Sequence, residues 1–135
     1  MIIDYLSSGA RECPLIRLFG NDHTGFVELK QITSLLSHVP NREDLLENYA
    51  SFHLSDFDSF CLGNMGNFGV QVTGRRIEWR TSPSNWHTIS LLIEPLVDAP
   101  LHPVSYQWLW GPAAIDPLDH SETSVLLSKS VEGVW

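Results

Sequence analysis

The stretch from residue 14 to residue 40, PLIRLFGNDHTGFVELKQITSLLSHVP, carries the clearest fold signal in the chain. Its first seven residues, 14–20, are mostly apolar, which is typical of a short buried strand, and turn-forming residues follow at 20–22. Apolar side chains then recur every three or four positions until a proline interrupts them, which predicts a helix over residues 25–38. A buried strand followed closely by an amphipathic helix indicates a globular domain that mixes both kinds of element.

A second helix is predicted directly after this stretch. Asn41 can cap its first turn, acidic residues suit the positive end of the helix dipole, and apolar residues from Leu45 to Ala50 form one face. These features predict a helix over residues 42–51.

The pattern beyond residue 52 changes to that of strands. A hairpin turn is predicted at Gly74-Arg75. The strands are predicted at residues 57–62, 69–73, 76–81, 106–110 and 124–128.

Ser82-Pro83 is a typical helix start, because a hydroxyl caps the first turn and proline is tolerated there. It predicts a third helix over residues 83–94 that Pro95 ends, with a strand over residues 88–93 as the alternative. Residues 97–103 and 112–123 are predicted connections, and a turn is predicted at Gly133.

Strands and helices therefore interleave without a regular βαβ period. We expect one α+β domain over residues 1–135, with a mixed, mainly antiparallel sheet and about three helices.

Charge is the strongest constraint on function, since sixteen Asp and Glu against eight Lys and Arg give a formal net charge of -8. Nucleic acids are held mainly by cations that neutralise phosphates, so this balance argues against a nucleic-acid partner. The longest apolar run is too short for a membrane-spanning helix, and the first twelve residues do not resemble a signal peptide. We therefore expect a soluble, cytoplasmic protein.

Recognised catalytic and metal-binding patterns are missing from the sequence. Cys13 and Cys61 have no metal-ligand spacing, and we expect two reduced thiols, with a disulfide between them as the alternative. The six histidines are dispersed, and the serines lack the context of an activated nucleophile. We expect no metal, no cofactor and no enzymatic activity.

Acidic residues are concentrated in residues 43–74, a window without any Lys or Arg. Such a local field could orient and accelerate the approach of a basic partner, while the structural alternative is a solvated helix face. Arg75, Arg76 and Arg80 form a basic cluster beyond the window, which we expect to pair with acids on neighbouring strands, with binding of an anion or an acidic partner as the alternative. The candidate partner-binding acids are Glu43, Asp44, Glu47, Asp56 and Asp58.

Tyr106, Trp108 and Trp110 occupy alternate positions, so a regular strand would present them on one face. This aromatic ladder could stack a ligand or anchor a partner, and packing in the core is the alternative. Trp108 and Trp110 join the candidate partner-binding residues.

These observations favour a non-enzymatic interaction protein that binds and neutralises or regulates a more basic protein. In physical character it is similar to inhibitors of cationic enzymes, such as bacterial immunity proteins, although no motif assigns it to a family. One alternative is a small-ligand binding protein or hydrolase whose pocket lies beside the ladder, with His87 or His102 as base. Another is a homo-oligomer whose interface includes the ladder.

Overall fold

A computed structural model of the protein describes residues 1–8, 14–99, 105–111 and 123–130. Within these residues the fold consists of two β-sheets and two α-helices, so the predicted α+β class is confirmed, whereas the single sheet and the helix predicted over residues 42–51 are wrong. The helices are α1 (His23–His38) and α2 (Pro83–Val97). The strands are β1 (Ile2–Leu6), β2 (Leu15–Gly20), β3 (Glu43–Leu45), β4 (His53–Leu54), β5 (Ser59–Gly63), β6 (Gly69–Thr73), β7 (Arg76–Arg80), β8 (Ser105–Trp110) and β9 (Ser124–Lys129).

The five-stranded sheet has the order β4-β1-β2-β9-β8 and the four-stranded sheet the order β3-β5-β7-β6. Both sheets are mixed. Parallel pairing joins β1 to β4, β2 to β9 and β5 to β7, and the other neighbours are antiparallel. Antiparallel pairs are therefore only slightly in the majority among the described strands. The predicted hairpin is confirmed, because β6 and β7 pair in a continuous antiparallel register from Gly69↔Arg80 to Thr73↔Arg76.

Helix α1 begins two residues before its predicted start. Asp22 caps it by accepting a hydrogen bond from the backbone N–H of Gly25, with 3.0 Å between the two atoms. The apolar positions that predicted the helix form its buried face, as Phe26, Leu29 and Leu36 are completely covered.

The helix predicted over residues 42–51 is wrong. Glu43–Leu45 is instead a strand paired antiparallel with β5, and a single 3₁₀ turn, Leu46–Asn48, follows it. Asn41 has a φ of 52°, so it forms a turn into the strand rather than a helix cap. The pairing with β5, which lies far away in the sequence, overrides the local helical pattern.

Helix α2 confirms the helical alternative and excludes the strand over residues 88–93. Ser82 caps the helix by accepting a hydrogen bond from Asn85, at 3.2 Å. Pro95 lies inside the last turn instead of ending the helix. At that position it removes only one backbone hydrogen bond, and Lys129 of β9 donates to the carbonyl of Val97 just beyond it, at 2.9 Å.

The core lies between the sheets and the helices, and the two helices also pack against each other. Its centre is a cluster of three completely buried indoles that connects both sheets to α2. The ring of Trp79 in β7 lies 4.8 Å from Trp86 in α2 and 6.0 Å from Trp110 in β8, measured between centroids. Among the residues that the structure describes, no helix has the length and apolar character needed to cross a membrane.

Candidate functional site

Glu43 and Asp44, the first two predicted partner-binding acids, lie on strand β3 at one edge of the four-stranded sheet. Glu43 is paired with Arg80 of β7, whose Nη1 lies 2.6 Å from its Oε1. Asp44 is only 6% exposed and accepts hydrogen bonds from Arg42 and from the hydroxyl of Tyr49, at 2.7 Å and 2.8 Å. Both carboxylates are therefore committed to contacts within the fold, which leaves little of their charge available to a partner.

The other three predicted acids lie near the opposite end of β5. Asp58 precedes that strand and forms an exposed ion pair with Arg75, at 3.0 Å between Nε and Oδ2. Glu47 is exposed and accepts a hydrogen bond from the backbone N–H of Phe60, at 3.1 Å. Asp56 is exposed in a turn where its φ is 70°. Glu47 and Asp56 are the two acids of this set that are absent from the ion pairs of the described residues.

The acids do not form one continuous patch. Glu43 pairs in register with Gly63, whereas Asp58 precedes Ser59, so the two acids lie at opposite ends of β5. A five-residue strand is about 16 Å long, which exceeds the distance of about 8 Å over which exposed charges interact strongly at physiological salt. Glu47 and Asp56 remain as the candidate docking acids, and we call these two residues the acidic end.

Two arginines of the basic cluster pair with acids of other elements, and the third pairs with an acid of its own strand. Arg75 contacts Asp58, Arg80 contacts Glu43, and Arg76 contacts Glu78 at 3.0 Å. These cations come from outside the window of residues 43–74, which contains Glu43 and Asp58. A window along the sequence therefore overestimated the negative charge of the folded surface.

Ionisation of these groups follows from their contacts. The hydrogen bond from Arg75 lowers the pKa of Asp58, so this carboxylate stays charged well below neutral pH. Burial, reinforced by the hydrogen bond to Asp44, raises the pKa of Tyr49. Burial also raises the pKa of Cys61, which is a free, completely buried thiol, while Cys13 lies outside the described residues. Each of these three shifts moves the pKa further from neutrality.

The aromatic ladder of β8 is not a single face, and that prediction is wrong. A register shift against β9 lies between Trp108 and Trp110, because Trp108 pairs with Leu126 and Trp110 with Val125. A bulge of this kind changes the side on which the following residues point. Accordingly Tyr106 is 62% exposed, Trp108 is half-buried and Trp110 is completely buried in the indole cluster.

Trp110 therefore packs in the core, and only Trp108 and Tyr106 of the ladder can contact solvent. Of the two histidines considered as bases, His87 lies exposed on α2, and His102 lies outside the described residues. Within the described residues no group of three or more His, Cys, Asp or Glu side chains could hold a metal ion.

A groove of about 620 Å³ lies elsewhere, between α1 and α2. Val27, Leu35 and Val97 form its apolar part, and an ion pair between Lys30 and Glu94, at 3.7 Å, crosses the same two helices. The described residues that line it include no catalytic group that the sequence singled out. The sequence analysis did not identify this groove, because it depends on how the two helices pack.

Asn64 is a structural residue that the sequence analysis also missed. Its side chain is buried and contacts the carbonyls of Leu36 and Val39 and the backbone N–H of Arg42. Nothing in its sequence context, a turn after a strand, distinguishes it from Asn67 in the same loop.

Fold and site together define a small acidic α+β domain whose described cations are all occupied by contacts within the chain. Searches of family models, curated proteins and solved structures find no match to this chain. Its function is therefore inferred from physical properties alone.

Proposed function

We propose that this protein is a non-enzymatic interaction protein that binds and neutralises or regulates a more basic protein, as an immunity protein or an inhibitor does. The observation that carries the proposal is the imbalance between available charges of the two signs. Every Lys and Arg that the structure describes contacts an acid or a backbone carbonyl of the same chain. These cations are Arg17, Lys30, Arg42, Arg75, Arg76, Arg80 and Lys129.

Several exposed acids form no ion pair within the part of the chain that the structure describes. Glu47 and Asp56 are exposed at the acidic end, and Asp98 is exposed after α2. The chain as a whole carries -8. A protein with this surplus produces a negative potential that attracts basic proteins and repels acidic ones.

The structure also indicates which acids a test should change. Reversing the charge of Glu43 or Asp44 would break contacts that hold β3, so lost binding could not be separated from lost folding. Asp56→Asn keeps a residue that tolerates a positive φ, and Glu47→Gln keeps an oxygen for the N–H of Phe60. Together these two changes remove charge from the acidic end while preserving its local structure.

The experiment begins with capture from a native lysate at low salt, elution with a salt gradient and identification of the released protein by mass spectrometry. Stopped-flow association of that protein is then measured with the wild type and with the Asp56→Asn/Glu47→Gln double variant. The matched control is Glu94→Gln/Asp98→Asn on and after α2, which changes the net charge equally. Lysozyme serves as a generic basic protein that reports non-specific attraction.

We expect the association rate with the captured protein to fall steeply with ionic strength, because screening weakens steering. Removing two charges from the acidic end should lower the rate at low salt about threefold to tenfold, and the control pair should lower it less. A rate independent of salt would contradict the electrostatic basis of the proposal. If the two double variants lowered the association rate equally, the assignment of the binding site to the acidic end would be wrong.

A further inference from the structure

Strand β6 (Gly69–Thr73) is an edge of the four-stranded sheet and pairs only with β7 among the described strands. It lies in an uncharged segment, since residues 59–74 contain no Asp, Glu, Lys or Arg in a chain that is 18% charged. Natural proteins usually protect an edge strand with charges, prolines or bulges. Strand β6 has no charge and no proline, and its register with β7 is regular throughout.

The hydrogen-bonding groups on the outer side of β6 can be assigned from the hairpin. Thr73 and Arg76 flank a two-residue turn in which Gly74 has a φ of 60°. The flanking pair of such a turn is hydrogen-bonded, and bonded and non-bonded pairs alternate from there. Val72 and Val70 therefore direct their N–H and C=O groups away from β7, ready to pair with another strand.

An apolar strip accompanies these groups. Val70 packs partly against the core, Val72 is 37% exposed, and Phe68 just before the strand is 53% exposed. Val70 and Val72 are opposite Trp79 and Ile77, which are both buried, so this strip extends the apolar face of the sheet to its edge. A second strand placed beside β6 would extend the covered face.

We propose that the strand at this edge is β6 of a second copy, so that two chains form one continuous eight-stranded sheet. The sequence of β6, Gly-Val-Gln-Val-Thr, reads nearly the same in both directions around Gln71. An antiparallel pair related by a two-fold axis at Gln71 places Val70 of each copy opposite Val72 of the other. Those are the residues whose backbone groups point outward, so the pairing forms about four hydrogen bonds.

Charge favours a second copy over other occupants of this edge. Two chains of -8 repel each other, so self-association requires a surface at which no acids meet. Strand β6 is such a surface because it contains no charged residue. For the same reason it does not attract a basic protein. One short strand pair gives a small interface, so the dimer should be weak and reversible, with a dissociation constant in the micromolar range or above.

Sedimentation tests the proposed two-fold axis at Gln71. In the dimer, Gln71 of one copy faces Gln71 of the other, and in the single chain this side chain is exposed. The wild type should shift from monomer to dimer between about 5 µM and 500 µM, the range expected for a small interface. Gln71→Lys or Gln71→Glu places like charges directly opposite each other and should weaken the dimer about twofold to fivefold. An equimolar mixture of these two variants should restore it. The control is Thr73→Lys, which lies on the same face opposite Gly69 of the other copy.

Disulfide trapping provides a second readout that does not depend on affinity. Residues facing each other in a non-hydrogen-bonded pair have Cα atoms about 4.5 Å apart, which a disulfide can bridge, whereas two copies of residue 73 would be about 13 Å apart. With Cys13→Ser as background and Cys61 buried, Gln71→Cys should form dimers on mild oxidation at least ten times faster than Thr73→Cys. A monomer throughout the concentration range, with equal trapping of the two variants, overturns the proposal, whether the edge is unused or binds another protein's strand.

Discussion

Replacing Asn64 with alanine should destabilise the domain more than its position in a surface turn suggests. The side chain is only 7% exposed, and its amide nitrogen donates to the carbonyls of Leu36 and Val39 at 2.9 Å and 2.6 Å. Its oxygen accepts from the backbone N–H of Arg42 at 2.8 Å. One side chain thus holds the end of α1 and the segment before β3 against the turn that follows β5.

The magnitude follows from these three contacts. Each hydrogen bond contributes about 1 kcal/mol net, and truncation leaves two carbonyls and one N–H short of a partner in a partly buried place. We therefore expect Asn64→Ala to lower the free energy of unfolding by about 3 kcal/mol. For a domain of this size the urea midpoint should fall by roughly 1–3 M and the melting temperature by about 10 °C.

Urea and thermal unfolding, followed by circular dichroism and by tryptophan fluorescence, measure the effect. The matched control is Asn67→Ala, since Asn67 is exposed in the same loop and its replacement should change the unfolding free energy by less than about 0.5 kcal/mol. A loss below about 1 kcal/mol for Asn64→Ala would show that water replaces the side chain. The inferred role of Asn64 in holding α1 to the sheet would then be refuted.

Two further predictions concern an indole and an ion pair. Trp86→Phe should lower the free energy of unfolding in urea by about 1 kcal/mol, because its buried Nε1 donates to the carbonyl of Gly63 at 2.8 Å and that carbonyl would keep only the N–H of Thr81, at 3.1 Å. A neutral result would mean that this hydrogen bond does not contribute to stability. Arg75→Gln should raise the pKa of Asp58 towards that of an ordinary aspartate, as followed by the carboxyl shift in NMR. Because the folded pKa is lowered, the pair's contribution is present above the unfolded pKa and is lost as pH falls through the folded one. An unchanged titration of Asp58 in the variant would show that Arg75 does not stabilise its charge.

Local patterns predicted the elements whose causes are local. Helix α1 follows from its periodic apolar face and its capping aspartate, and α2 from Ser82-Pro83. The hairpin of β6 and β7 follows from Gly74, which can adopt the positive φ that the turn needs. In each of these cases the residues that decide the structure lie within a few positions of one another.

The wrong predictions concern residues whose contact partners lie far away in the sequence. Residues 43–45 carry a helical pattern but pair with β5, and the window of acids lacked the cations that Arg75 and Arg80 bring from the next hairpin. The bulge in β8 moves Trp110 from the expected face into the core. Pairing, ion pairs across strands and register shifts all depend on tertiary contacts, which a local pattern does not encode.

The two proposed interactions should respond to added salt in opposite directions, because attraction between charges drives one of them and repulsion between charges opposes the other. Binding of a basic protein is driven by attraction to the surplus acids, so added salt should weaken it. Pairing of two β6 strands brings two chains of -8 together at an uncharged edge, so salt should screen their repulsion and strengthen the dimer. A protein that loses its basic partner as ionic strength rises, while its own copies associate more tightly, would therefore be using two different surfaces, and the contribution of each can be measured in the presence of the other.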